Sequence, residues 1–226
     1  MENSSSNHIP TSFYSLIGKT VVEKYGRFKG RIVSYKVSSK GELDKIFISN
    51  NGFIMYKTPS SIELGGRVVK VIPPPIKKAS ELLDELQYIY LQLKTLNNIL
   101  SIDSRWGYIE KYFKMFRERF NRSLKEVGKT LKNLENRRRY INSLIAEYRE
   151  GLFTLQMDLE SGRIDTNIYK ICYNELSEEI LRLTNELEDI ENILSEITTA
   201  SNSISELINS LEKRLEEVES VETEEI

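Results

Sequence analysis

The sequence contains few of the residues that form covalent cross-links or metal sites. Among 226 residues there is one cysteine, Cys172, and one histidine, His8. A single cysteine excludes an intramolecular disulfide, and one histidine beside one cysteine leaves no set of zinc ligands. No nucleophile–base pair and no phosphate-binding glycine loop can be assembled either. The sequence therefore predicts a protein that is not an enzyme and that uses no cofactor.

Long apolar runs are also missing. No window approaches the roughly 18 consecutive apolar residues of a membrane-spanning helix, and residues 1–12 show no basic region followed by an apolar stretch. The sequence thus predicts neither a spanning helix nor a signal peptide. Together with the single cysteine, this favours the reducing cytoplasm. Residues 1–12, rich in serine and asparagine, are predicted to be a disordered tail.

The net charge of −2 conceals a strong segregation of charge along the chain. Residues 1–75 hold 11 basic and 5 acidic residues, residues 76–160 hold 16 and 12, and residues 161–226 hold 5 and 17. The balances are therefore +6, +4 and −12. The basic segments, residues 1–160, are expected to attract a polyanion. The acidic segment, residues 161–226, is expected either to repel a polyanion or to pair with the basic segments.

Residues 13–72 have the pattern of a small β domain. Five strands are predicted, at 15–23, 28–37, 45–48, 53–58 and 67–72. Asn51-Gly52 is the strongest turn signal between them, because both residues tolerate the positive φ of a tight hairpin. Short antiparallel strands must close, or nearly close, to protect their edges, which predicts a small barrel.

The opening of this segment resembles a PRC-barrel domain. Leu16–Val21 precedes Tyr25-Gly26 and then Gly30–Val33, in the order of that family's I-G-K-x-V strand and G-x-x-x-G-R hairpin. The resemblance implies an interaction or assembly module. The acids of the segment fall one per turn or strand end and are interpreted as solvated surface charge. They are Glu23, Glu42, Asp44 and Glu63.

Three prolines, Pro73–Pro75, follow the β domain. Each fixes φ and lacks a backbone donor, so neither a strand nor a helix is expected to run through them. Residues 73–76 are therefore predicted to be a rigid, extended hinge at the domain boundary.

Residues 77–218 are predicted to be coiled coil, because apolar residues recur at spacings of four and three. The predicted helices span about 77–101, 104–160 and 166–218. The second helix carries a seam from Ile109 to Leu159 that includes Leu124. The third seam is the most regular and begins with Leu176, Ile180, Leu183, Leu187, Ile190, Leu194 and Ile197.

Twelve of the thirteen positions in the third seam are apolar. At about 1.5–3 kcal/mol per buried aliphatic side chain, they represent about 18–36 kcal/mol and must meet a partner helix. The turn around Gly162 makes the preceding helix the nearest partner, folded back antiparallel. Residue x then faces residue about 326 − x, which brings Arg137 and Arg139 near the acids from Glu186 to Glu191. The predicted fold class is α+β, with a small PRC-like barrel followed by a long antiparallel coiled-coil hairpin.

Two basic features of the second helix each have two interpretations. Arg137-Arg138-Arg139 either binds nucleic acid or pairs with the facing acids. A second set lies on the face turned away from the seam and forms a cationic stripe about 32 Å long. It either tracks a phosphate backbone, as a DNA-binding surface does, or is an ordinary solvated face. The set is Lys111, Lys114, Arg122, Lys125, Lys129 and Lys132, interrupted by Glu118.

A PRC-like barrel, a proline segment and coiled coil to the C-terminus together resemble the CdvA family of crenarchaeal cell-division proteins. The residues that carry the resemblance are 16–22, 26–33, 70–74 and 82–86, followed by the heptads. The resemblance implies a non-enzymatic protein that polymerises with itself, associates with DNA and recruits ESCRT-III-like subunits through its extreme C-terminus. It also implies a place at the midcell division ring, near the inner face of the membrane, with indirect contact to the membrane surface.

The C-terminal segment departs from this family. The heptads run to Val218, so the acidic tail at 219–226 is short for a linker plus a recruiting strand. Val218, Val221 and Ile226 either add an edge strand to an ESCRT-III-like partner or belong to a frayed helix end. A divergent paralogue with another tail function is one alternative. A PRC-barrel adaptor that binds one protein partner without polymerising is the other.

Overall fold

The structure is a computed structural model that describes residues 13–65, 67–100 and 106–224. A six-stranded sheet precedes three long helices, which confirms the predicted α+β class. The strands are β1 (Thr20–Glu23), β2 (Lys29–Val37), β3 (Leu43–Asn50), β4 (Phe53–Lys57), β5 (Ile62–Leu64) and β6 (Val68–Val71). The helices are α1 (Pro74–Leu100), α2 (Trp106–Glu160) and α3 (Thr166–Glu224). The predicted tail at 1–12 lies outside the described residues.

The sheet has the strand order β4-β3-β2-β1-β6-β5. All neighbours pair antiparallel except β1 and β6, which are parallel. The sheet curls into a half-barrel. It does not close, because β4 and β5 lie at its two edges and do not pair with each other. Its core is made of alternate strand residues, so the β domain has a hydrophobic core of its own. The buried core residues are Leu16, Val21, Ile32, Ile46, Ile48, Ile62, Val69 and Val71.

The hairpin predicted at Asn51-Gly52 is confirmed. The two residues have φ of 46° and 86°, and Asn50 pairs directly with Phe53 across the turn. These are the left-handed conformations that a two-residue hairpin turn needs. Gly30 in β2 answers a different need, because a Cβ there would lie 2.5 Å from the carbonyl oxygen of Ser49.

Two predictions in the β domain are wrong. The first predicted strand begins at Thr20 rather than at residue 15, because residues 13–16 form a turn of 3₁₀ helix in which Ile17 N–H donates to the Tyr14 carbonyl. The strand β5 was not predicted. It directly follows a second 3₁₀ turn that begins at Pro59. Because it is only three residues long, its sequence is too short to show an alternation of apolar and polar residues.

The prediction of an extended proline hinge at residues 73–76 is also wrong. Helix α1 begins at Pro74, so two of the three prolines form its first turn. Proline is tolerated there because the first N–H groups of a helix have no partner within the helix. Ile76 N–H and Lys77 N–H both donate to the Pro73 carbonyl, which ties the β domain directly to the helix. Residues 73–76 therefore join the two parts without a spacer.

Helix α1 packs against both α2 and α3, which makes a three-helix bundle. It runs antiparallel to α2, since Lys78 pairs with Glu126 and then Glu85 with Arg119. It runs parallel to α3, because Asn97 near its end accepts a hydrogen bond from Arg214. Pro74 and Arg137 line one cavity, so α1 starts at the level of Arg137. The remainder of α2, toward Glu160, has no α1 beside it.

Helices α2 and α3 are joined by a tight turn. Gly162 has φ of +70°, and Asp165 Oδ1 caps α3 by accepting N–H bonds from Asn167 and Ile168 at 2.7 and 3.0 Å. Side-chain contacts between the helices join residues 156 to 169, 137 to 186 and 117 to 212. The paired numbers total 325, 323 and 329, close to the predicted 326. That α2 and α3 supercoil as a coiled coil stays a prediction.

Burial along the seams depends on the presence of α1. Within the three-helix part, Ile190, Ile197 and Ile204 are fully buried. Toward the turn at Gly162, every seam residue from Tyr148 onward in α2, and Leu176 and Ile180 in α3, is only half-buried. The prediction that Leu124 belongs to the seam is wrong, because its side chain is 39% exposed. The nearby Ser123 and Thr130 are buried instead. None of the helices in the described part of the chain is long and apolar enough to cross a membrane.

Candidate functional site

The turn between β1 and β2 lies against α2 and α3 and forms a charged junction between the two parts of the molecule. At its centre is Glu186 of α3, whose side chain is completely buried. Arg137 of α2 donates from Nε and Nη2 to its two carboxylate oxygens, at 2.8 and 3.0 Å. Arg27 of the β domain also donates to Glu186. A buried carboxylate between two guanidinium groups is stable only while both partners stay in place.

Asp189, one turn further along α3, receives two more groups of the β domain. Tyr25 Oη donates to it at 2.9 Å, and Lys24 Nζ lies 2.7 Å from it. Burial and the hydrogen bond to Asp189 raise the pKa of Tyr25 far above its usual range. The hydroxyl therefore remains a donor at any physiological pH. Although burial disfavours its charge, the hydrogen bond to Glu186 raises the pKa of Arg27.

Glu23 completes the junction and is not the solvated charge that the sequence predicted. It is 5% exposed. Its Oε2 accepts the backbone N–H groups of Tyr25 and Arg27 at 2.9 and 3.2 Å, so the carboxylate holds the turn that presents both side chains. Its Oε1 lies 3.5 Å from Arg27 Nη1. Arg27 Nε also lies 3.5 Å from Oε1 of Glu179 in α3. We call Glu23, Lys24, Tyr25, Arg27, Arg137, Glu179, Glu186 and Asp189 the junction cluster.

A cavity of about 540 Å³ opens beside this cluster. Its walls include Phe28, Tyr56, Pro73 and Pro74 as well as Arg27 and Arg137. Of the charged residues that line it, Glu23, Arg27 and Arg137 are paired within the junction cluster. Lys57 lies over the ring of Phe28, with its Nζ 5.5 Å from the ring centroid. Among the described residues no group of three or more histidine, cysteine, aspartate or glutamate side chains is arranged to hold a metal ion.

The cationic stripe lies on the exposed surface of α2. All six of its side chains are exposed, at Lys111, Lys114, Arg122, Lys125, Lys129 and Lys132. Lys114 pairs with Glu110 on the same helix. The other five form no ion pair with any residue that the structure describes. Nearby, the hydrogen bond from Lys78 lowers the pKa of Glu126, so that acid stays ionised beside the stripe.

The outer surface of β2, β3 and β4 is a second basic surface, which the sequence reasoning missed. Because Ile46 and Ile48 of β3 face the core, the alternating residues Lys45 and Phe47 face outward. Lys45 Nζ lies 4.6 Å from the ring centroid of Tyr56. The alternation along the three strands was the signal that could have found it. We call this surface the outer sheet face; it comprises Arg31, Val33, Lys36, Lys45, Ile54 and Tyr56.

A third surface is the free end of the α2–α3 pair, which we call the arm and define as residues 140–178. It extends from the level of the junction cluster to the turn at Gly162, and α1 does not run beside it. Its outward faces carry large apolar side chains, among them Phe153 at 66% and Ile171 at 60% exposure. The exposed apolar residues of the arm are Tyr140, Phe153, Met157, Ile168, Ile171 and Tyr173. Cys172 is half-buried among them.

The remaining sequence-predicted residues lie in α3. The seam residues Leu183, Ile190 and Ile197 are buried against the other helices, and the intervening Leu187 and Leu194 are half-buried. Of the predicted ESCRT-III-binding residues, Val218 and Val221 are in α3, which continues to Glu224. Residues 219–224 are therefore helical rather than a separate tail, and Ile226 lies outside the described residues.

Comparisons with known proteins give no relative on which to base a function: no protein family, no curated protein and no solved structure matches the chain. The resemblance to the PRC-barrel and CdvA families therefore rests on the residues quoted above. The features that bear on function are the junction cluster and three surfaces: the cationic stripe, the outer sheet face and the arm.

Proposed function

We propose that the protein is a non-enzymatic, filament-forming scaffold of archaeal cell division, similar to CdvA. In this proposal it works in the cytoplasm at the midcell division ring. It associates with DNA, recruits ESCRT-III-like subunits and is linked through them to the inner face of the membrane. The pairing of α2 with α3 is proposed to be an antiparallel coiled-coil hairpin, since the contact register stays nearly constant along both helices.

The observation that carries the proposal is the presence of two unlike, exposed surfaces on one molecule. The arm is apolar and acidic, while the stripe on α2 is cationic. Both surfaces lie along the continuous helix α2, so every copy presents them in the same geometry. Contacts between unlike surfaces do not close on themselves and generate open filaments.

Electron microscopy and sedimentation of the purified chain, with and without duplex DNA, test filament formation. We expect filaments whose number or length increases with protein concentration. Only small discrete oligomers, at every concentration and both with and without DNA, would contradict the proposal.

The cationic stripe and the outer sheet face are the two candidate surfaces for DNA. A protein that neutralises several phosphates loses affinity steeply as salt rises, so the salt slope counts the contacts. One variant reverses Lys111, Lys114, Arg122 and Lys125 to glutamate, and a second reverses Arg31, Lys36 and Lys45. A variant that lowers both affinity and salt slope identifies the DNA-binding surface. DNA binding that neither variant weakens would exclude both surfaces.

Recruitment of an ESCRT-III-like subunit is proposed to use the end of α3. Deletion of residues 220–226 is expected to abolish binding of that subunit while assembly of the chain is unaffected. Replacement of the acids in this segment by glutamine is the matched control for charge, since it keeps Val221 and Ile226. Binding retained by the deletion variant would place the recruiting site elsewhere.

A second function, a barrel-based adaptor that does not polymerise, is favoured by the edge strand β4. Phe53 is 78% exposed there, and Ile54 and Tyr56 are exposed as well. An unpaired edge with apolar side chains is suited to pairing with a strand of a partner protein. Replacing Phe53 and Ile54 by serine would then abolish partner binding without altering sedimentation. A change in sedimentation would instead assign β4 to self-assembly.

A further inference from the structure

The arm has an incomplete helical interface. In the three-helix part α1 closes the groove between α2 and α3, whereas in the arm no third helix from the described part of the chain lies in this groove. As a result Tyr148, Leu152, Leu155 and Leu159 are only half-buried although they continue the buried seam of α2. Exposed apolar surface that continues a buried interface is typical of a docking site.

The charge of the arm limits what occupies it. Residues 140–178 contain seven acidic and three basic residues, a balance of −4. Two arms placed side by side would therefore repel each other, which disfavours a symmetric arm-to-arm pair. The occupant must offer positive charge next to apolar side chains.

The same chain carries such a surface on α2. Residues 106–134 hold eight basic and three acidic residues, a balance of +5. Tyr108, Tyr112 and Met115 lie beside the start of the cationic stripe and are exposed. The stripe is about 32 Å long, and the arm, with some 20 residues in α2, is about 30 Å long. The two surfaces thus match in length, in charge and in apolar character.

We propose that the arm of one copy docks on the cationic stripe of the next copy, as the head-to-tail contact of the filament. This inference rests on the proposed function and names the contact that it requires. Phosphates would also neutralise the stripe, but a DNA backbone offers nothing to cover Tyr108 and Met115, whereas the arm brings Phe153 and Met157. The outer sheet face then remains as the candidate DNA-binding surface.

Two charge-reversal variants test the contact, each with four exposed residues changed. The stripe variant carries Lys111→Glu, Lys125→Glu, Lys129→Glu and Lys132→Glu. The arm variant carries Glu147→Lys, Glu150→Lys, Glu160→Lys and Glu175→Lys. The matched control reverses four exposed lysines outside both surfaces: Lys40, Lys70, Lys94 and Lys213. Circular dichroism verifies that every variant has the helix content of the wild type.

The proposal expects each of the first two variants alone to lose all sedimenting assembly, because like charges then face each other in every contact. An equimolar mixture of the two is expected to restore assembly to the wild-type level, since each arm then meets a stripe of opposite charge in the other variant. The control variant is expected to assemble as the wild type does.

Other outcomes overturn the proposal in distinguishable ways. If the wild type assembles and the stripe variant still assembles but has lost DNA binding, the stripe is a DNA surface and the arm docks elsewhere. If both variants fail to assemble and their mixture fails too, the arm and stripe do not contact each other. If the wild type itself forms only a discrete dimer, the filament proposal falls together with this contact.

Discussion

Arg137 offers the sharpest test of the buried carboxylate at the centre of the junction cluster. It supplies the hydrogen bond to Oε1 of Glu186 and a second one to Oε2, and the carboxylate has no exposure to water. Replacing Arg137 by alanine leaves Glu186 with Arg27 alone. Removing one partner of a buried ion pair costs about 3–5 kcal/mol, and because Arg27 remains we expect about 3 kcal/mol for Arg137→Ala.

The assay is urea denaturation at neutral pH, followed by circular dichroism, on Arg137→Ala, Glu186→Gln and the double variant. Glu186→Gln removes the buried charge but keeps the side-chain shape, so the arginines lose only part of their hydrogen bonding, at a cost of about 1–2 kcal/mol. In the double variant no charge is stranded, and we expect it to be more stable than Arg137→Ala alone. The coupling free energy should be about 0.5–3 kcal/mol.

The reasoning would be refuted if Arg137→Ala changed the free energy of unfolding by less than about 0.5 kcal/mol, the range of ordinary surface substitutions. Strict additivity of the two substitutions would refute it as well. Either result would mean that Glu186 is hydrated in solution and is not the buried centre of the junction cluster.

Three further predictions, made with four substitutions, test other parts of the fold by thermal or urea denaturation. Ile197→Ala in the fully buried seam should cost about 2–5 kcal/mol, clearly more than Leu176→Ala in the half-buried arm, and equal costs would contradict the difference in packing. Gly162→Ala should cost about 1–2 kcal/mol, because φ at this residue is +70°, and no loss of stability would mean that the turn is not left-handed. Thr130→Val should stabilise the protein by about 1 kcal/mol, because the buried Thr130 Oγ1 has no hydrogen-bond partner, and destabilisation would show that the hydroxyl is satisfied.

The features that sequence reasoning predicted well are local or strictly repeated. Asn51-Gly52 and Gly162 specify their own backbone conformation. The register between α2 and α3 follows from one turn and one regular repeat, so Arg137 could be placed near Glu186 by counting along the two helices. Such features need no knowledge of distant parts of the chain.

The features that were missed depend on distant contacts. Glu23 looked like a surface charge because nothing near it in sequence shows that its turn meets the helices, and Arg27 of that turn meets Glu186 across 159 positions. Leu124 was assigned to the seam by its hydrophobicity. Once α1 packs on α2, however, Ser123 and Thr130 face the other helices and are buried instead.

The structure of the three prolines was predicted wrongly because the same residues fit two different structures. Pro73–Pro75 is compatible with an extended spacer and equally with the first turn of a helix, where the missing donors cost nothing. The packing of Ile76 and Ala79 into the helical core decides in favour of the helix. The outer sheet face and the exposed surface of the arm likewise become visible only when the strands are paired and the extent of α1 is known.

The most direct measurement is the distance between spin labels at Lys132 and Glu191, in a Cys172→Ser background and with unlabelled chain in large excess. If α3 doubles back on α2 within one chain, the labels are on neighbouring helices and their separation is about 10–30 Å, as expected for helix axes 8–10 Å apart. This result is predicted to persist at every dilution. A separation near 90 Å, the length of 59 helical residues in a straight line, or a short distance that vanishes when unlabelled chain is added, would contradict the intramolecular fold on which the junction cluster and the arm depend.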